Sequence, residues 1–139
     1  MNKCISFSLS LNLRRVLCVV PFVFLFGFSQ AQVKSNKGKE FWIGFMNHSE
    51  GTNAGMSLYI TSDSNSSGTV SVPGQSWSTS FSVTANNLTV VTIPSNRAYV
   101  DCSGCIEKKA VKVTSDKDVI VFAHHYEGNK SDATLVLPT

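Results

Sequence analysis

The residues best equipped for chemistry begin with Cys102-Ser103-Gly104-Cys105, two thiols separated by two residues. Such a pair closes a small disulfide loop, stays as free or intermolecular thiols, or serves as a dithiol redox couple. A redox couple of this spacing normally sits at a helix N-terminus in a βαβ setting, where the helix lowers the thiolate pKa. Here the pair lies in a loop of an all-β chain, between Val100 and Ile106, with no helix behind it. The reading is a local disulfide, with free thiols and catalytic exchange as alternatives. His124 and His125 could in principle complete a tetrahedral zinc site with the cysteines. Neighbours on a strand point to opposite faces, however, and His-x(3–5)-His spacing is missing, so no metal is expected. His124-His125-Tyr126 reads instead as a strand end meeting solvent, one ring packed on the surface.

Other chemistries find less to work with. Serines are abundant, but no Gly-x-Ser-x-Gly elbow is present. Asp101 with Glu107, and Asp116 with Asp118, are carboxylate pairs in polar loops, where solvated groups of ordinary pKa are expected. Asp63-Ser64-Asn65 has the oxygen character of a calcium loop without the closing glutamate. No glycine-rich phosphate cradle occurs. Asn47, Asn65, Asn87 and Asn129 head Asn-x-Ser/Thr sequons, glycan acceptors if the chain passes through a eukaryotic secretory route. Trp42, Phe45, Tyr59, Trp77 and Phe81 could form a sugar-stacking platform, but core anchoring is the preferred reading. The expectation is a non-enzyme with no cofactor.

The compartment is set by the first 31 residues. Lys3, Arg14 and Arg15 precede an apolar run at 16–28, and Ser29-Gln30-Ala31 supplies a small-x-small cleavage site. Residues 1–31 therefore read as a helical signal peptide cut between Ala31 and Gln32. The run is shorter than the roughly 20 residues a spanning helix needs, and Pro21 interrupts it, leaving a retained anchor as the alternative. Cys18 follows Leu17 and precedes most of the apolar run, a poor context for lipidation. The net charge of +3 resides in those three leader cations, and beyond them nine Lys+Arg balance nine Asp+Glu. No basic patch remains, so nucleic acid is not an expected partner. Secreted or cell-surface placement is expected, with no stable membrane span after cleavage.

After a short linker at 32–37, residues 38–139 read as β throughout. Phe41-Trp42-Ile43-Gly44-Phe45-Met46, Met56-Ser57-Leu58-Tyr59-Ile60-Thr61, Gly68-Thr69-Val70-Ser71-Val72, Ser80-Phe81-Ser82-Val83-Thr84 and Leu88-Thr89-Val90-Val91-Thr92-Ile93 come first. Ala110-Val111-Lys112-Val113-Thr114, the continuously apolar Val119-Ile120-Val121-Phe122-Ala123 and Thr134-Leu135-Val136-Leu137 follow. Turns are expected at 62–68, Pro73-Gly74-Gln75, Asn86-Asn87 and Ser115-Asp116-Lys117-Asp118. Eight short strands with polar turns predict an all-β, antiparallel β-sandwich-like module without a helix of useful length. The expected inward set is Ile43, Leu58, Ile60, Val70, Val72, Phe81, Val83, Val90, Ile93, Val111, Val113, Ile120, Phe122 and Leu135. The segment 119–123 should be covered on both faces. An apolar last strand predicts a sheet edge still in need of a partner, as in the front part of a longer polypeptide.

Several blocks resemble a known family. Gly38-Lys39-Glu40-Phe41-Trp42-Ile43-Gly44-Phe45-Met46 and Ser57-Leu58-Tyr59-Ile60-Thr61-Ser62-Asp63 are similar to the opening of the IgGFc-binding protein N-terminal domain family. Gly68-Thr69-Val70-Ser71-Val72-Pro73-Gly74, Phe81-Ser82-Val83-Thr84-Ala85-Asn86 and Val91-Thr92-Ile93-Pro94 follow in the same order. Val111-Lys112-Val113-Thr114-Ser115-Asp116-Lys117 and Asp132-Ala133-Thr134-Leu135-Val136-Leu137-Pro138-Thr139 complete the series. The Cys102–Cys105 loop departs from the family's pattern. The resemblance implies an extracellular β-rich domain at the front of a larger adhesion or mucus-associated protein, without supplying a residue-level binding motif. The function expected is contact with protein or glycan partners through the loops 47–55, 61–68 and 100–109. A structural spacer without a ligand, and a thiol–disulfide enzyme using Cys102 and Cys105, are the alternatives.

Overall fold

Each alternating run has one apolar side to bury, and antiparallel pairing lets it do so while satisfying its backbone. In the computed structural model, residues 35–46, 55–128 and 130–139 are described. They form β1 (Gly38–Ile43), β2 (Phe45–Met46), β3 (Gly55–Thr61), β4 (Ser66–Val72), β5 (Trp77–Val83), β6 (Leu88–Ile93), β7 (Tyr99–Val100), β8 (Val111–Glu127) and β9 (Lys130–Val136). A 3-10 turn at Pro73–Gln75 and one short helix, α1 (Ser95–Ala98), join them. The fold is all-β, as the sequence predicts. Among the described residues no helix is long and apolar enough to cross a membrane. The leader and its Ala31/Gln32 cleavage site lie outside the described residues.

One expected turn is absent. Ser115-Asp116-Lys117-Asp118 does not separate two strands; it lies inside β8, which runs for 17 residues. The first half of β8 pairs with β1 and β4, and β4 pairs with β5. Its second half pairs with β9 and β3, and β3 pairs with β6. A single seven-stranded antiparallel sheet is thereby folded over itself into two layers that share β8. At the fold the register against β1 jumps, with Glu40 opposite Thr114 but Gly38 opposite Val119. The turn-forming residues thus make a bulge, which bends a strand without ending it.

Side chains from the neighbouring loop hold this bend. The Ser67 N–H and the Ser66 hydroxyl donate to Asp116 Oδ1 at 2.7 and 2.8 Å, and the Ser62 hydroxyl donates to the Asp118 carbonyl at 2.8 Å. Ser62 and Ser66 are buried, so these bonds also satisfy polar groups that would otherwise be costly to bury. Lys37 and Asp63 form an ion pair beside them. Elsewhere the layers draw together at both margins. Thr89 Oγ1 donates to the Ser82 carbonyl at 2.7 Å, linking β6 to β5. The Thr139 N–H donates to the Glu40 carbonyl at 3.1 Å, and Pro138 lies so close to Gly38 that a Cβ there would sit 2.3 Å from it. β9 itself pairs with β8 along one edge.

Between the layers lies one apolar core, with Phe41, Met56, Leu58, Ile60, Val70, Val72, Val111, Val113, Val119 and Val121 fully enclosed. Ten of the fourteen residues expected to point inward do so. Val90, Phe122 and Leu135 are instead exposed and Ile120 is half-buried, while Val91, Val119, Val121, Ala123 and Val136 take the inner positions. The segment 119–123 is therefore enclosed on one face only. Phe45 and Phe81 are buried and Trp77 packs against the core, whereas Trp42 is exposed, so the five aromatic residues do not form a shared platform.

Candidate functional site

Several side-chain contacts constrain the loop from Val100 to Ala110. Cys102 and Cys105 are joined as a disulfide with their Cα atoms 5.7 Å apart. Gly104 adopts φ +79, a left-handed conformation that glycine supplies without a Cβ penalty. Glu107 organises the segment before it: Oε2 accepts the N–H groups of Asp101 and Cys102 at 2.8 and 3.0 Å, and Oε1 meets Lys109 Nζ at 2.6 Å. Lys109 foremost, then the two amides, hold the Glu107 carboxyl down to about 2. The expectation of an ordinary solvated carboxylate here is corrected, because backbone donors favour the charged form. Asp116 is likewise lowered, chiefly by the Ser67 N–H and then the Ser66 hydroxyl.

The far side of the loop is tied to the Pro73–Gln75 turn. A Cβ on Gly74 would come within 2.3 Å of the Lys108 carbonyl oxygen, so only glycine fits this approach without displacement. Gln75 Nε2 reaches the Lys108 carbonyl at 3.5 Å, and Arg97 donates to the Gln75 carbonyl at 3.2 Å. Ile106 projects from this scaffold 96% exposed. No helix begins at Cys102; α1 ends four residues earlier. Of the expected carboxylate pairs, Asp101 and Glu107 meet through a backbone amide, and Asp116 and Asp118 work on the β8 bend.

The two histidines separate as strand geometry requires. His124 faces outward, its Nε2 2.7 Å from Ser131 Oγ and its ring near Tyr59 and Tyr126. His125 faces inward, edge-on to Phe45 and Tyr99 with ring centres 6.0 and 5.9 Å away. His125 is thus part of the interior margin, and His124 is the one ring packed on the surface that the sequence led us to expect. Among the described residues no three His, Cys, Asp or Glu side chains gather where they could hold a metal ion.

At that margin the layers part around an open cavity of about 350 Å³, lined by Ile43, Phe45, Met46, Ala123, His125 and Asp132 among others. Asp132 stands directly opposite His125 in the β8–β9 ladder. Sequence reasoning did not single out Asp132. The β8–β9 ladder starts with Glu127 opposite Lys130, and counting outward from that pair sets Asp132 against His125. Phe45 and Met46 reach the cavity through the parallel pairing of β2 with β7, which no local pattern announces.

Comparison with known proteins adds no relative: no family model, no curated protein and no solved structure matches the chain.

Proposed function

We propose that this chain is a non-catalytic module, exported by its N-terminal leader to the cell exterior, that contacts a protein or glycan partner through its loops. The carrying observation is the 100–110 loop, in which a disulfide, a doubly capping carboxylate and a glycine-dependent contact fix a fully exposed isoleucine. Ordering before binding lowers the entropic cost of association, and binding segments are commonly loops held by a rigid frame. The seven blocks similar to the IgGFc-binding protein N-terminal domain family support placement in a larger adhesion or mucus-associated protein.

The test is a glycan and immunoglobulin array probed with the purified chain and with Ile106→Asp. Binding that falls at least about tenfold in the variant, while the circular dichroism spectrum is unchanged, supports the reading. No ligand, or binding indifferent to Ile106, turns the balance towards a structural spacer. Thiol titration addresses the redox alternative: insulin reduction that depends on Cys102 and Cys105 would make the loop an exchange centre.

A further inference from the structure

The cavity between β2 and β9 is built from residues that lie outside the 100–110 loop. Its inner wall is apolar, with Ile43, Phe45 and Ala123, and its rim carries the exposed Met46 and the carboxylate of Asp132. Among the described residues no hydrogen bond or ion pair engages that carboxylate, in contrast to Glu40, Asp63 and Glu107, each of which has a lysine partner. Its position is fixed by the ladder, because Asp132 pairs with His125 and His125 is packed edge-on to Phe45 and Tyr99. A solvated carboxylate alone selects nothing. A carboxylate at the mouth of an apolar hollow selects a ligand with one cationic end and a short hydrocarbon body.

We propose that this cavity binds an alkylammonium group, with the ammonium at Asp132 and the alkyl chain against Phe45, Met46 and Ile43. The size agrees: about 350 Å³ accommodates roughly a dozen non-hydrogen atoms at liquid density. Two sources share this chemistry, a free amine and the lysine side chain of a partner protein. An anion would meet repulsion at Asp132, and a neutral alcohol would forgo the charge-assisted bond.

The experiment is a chemical-shift titration of the isotope-labelled chain with n-butylamine, with Nα-acetyl-lysine-N-methylamide, and with n-butanol and butyrate as neutral and anionic controls. Saturable shifts at Ala123, His125 and Ala133 are expected with the amines, with dissociation constants on the order of millimolar for so few heavy atoms. Asp132→Asn should weaken the amines about tenfold and leave n-butanol unchanged. Butylamine binding well ahead of the lysine derivative assigns a free amine, and the reverse order assigns a lysine side chain. Equal binding of n-butanol, insensitivity to Asp132→Asn in a variant with an unchanged spectrum, or no saturable shift with either amine overturns the proposal. That failure would leave Ile106 and the array result untouched.

Discussion

The two layers share a strand and a core yet present opposite outer surfaces. Outside the β1–β8–β4–β5 layer, Trp42, Lys112, Ser71 and Ser78 stand in one cross-strand row, and Glu40, Thr114, Thr69 and Ser80 in the next. Glu40 links the two rows, meeting Lys112 at 3.0 Å and the Trp42 indole N–H at 3.2 Å, while Lys112 lies 5.3 Å from the Trp42 ring centre. Outside the β9–β8–β3–β6 layer the corresponding row is Leu135, Phe122, Tyr59 and Val90. Hydroxyls and ions cover one layer; hydrocarbon covers much of the other.

This contrast explains where the sequence could be read and where it misled. In β4 and β5 every outward residue is Ser or Thr, so alternation is visible and the inward residues Val70, Val72, Phe81 and Val83 follow directly. Along β6, the second half of β8 and β9 both faces carry apolar residues, so the period of two disappears. All four misplaced residues, Val90, Ile120, Phe122 and Leu135, belong to that layer's outer side. The bend in β8 was illegible for another reason. Ser115-Asp116-Lys117-Asp118 has turn composition, and what holds it within a strand is tertiary: the flanking ladders and the bonds from Ser62, Ser66 and Ser67. The disulfide pair was visible as spacing alone, whereas the cavity required a pairing between residues far apart in the chain.

The contrast is most sharply tested by two phenylalanines. Phe41→Ala empties a fully enclosed position and should cost about 3–5 kcal/mol in denaturant unfolding. Phe122→Ala, on the outer apolar row, should cost less than about 1 kcal/mol. Comparable losses would mean that the outer row is itself covered. Next in size is Gly68→Ala, whose Cβ would lie 2.1 Å from the Thr114 carbonyl oxygen and 2.6 Å from the Phe81 ring. Overpacking at this junction of β4, β5 and β8 should cost about 1–3 kcal/mol in the same assay; a neutral result would show that the β4–β8 pairing shifts and the Phe81 ring moves aside to admit the methyl group.

Acid should distinguish the two surfaces as well. Lys112 first, and the Trp42 indole second, hold the Glu40 carboxyl below its ordinary 4.5. A lowered carboxyl contributes fully above that ordinary value and loses its contribution as pH falls through the depressed one. Trp42 fluorescence should therefore change on acidification below 4.5 and lose that step in Glu40→Gln, measured in a Trp77→Phe background. A step that persists in Glu40→Gln would assign it to another group. The smallest effect belongs to Val90→Thr with Leu135→Thr, expected within about 1 kcal/mol of the parent in thermal melts while restoring polar alternation to the outer side. A larger loss would show that the hydrocarbon there supports the fold.

Because β8 threads both layers, it behaves like the spine of a folded card. Neither leaf can be peeled away while the other stays intact, since each owes its central ladder to the same 17 residues. Tension applied along that spine would load both leaves at once through the crease at Asp116. A single nick after Lys117 would sever the one backbone path on which both central ladders are strung.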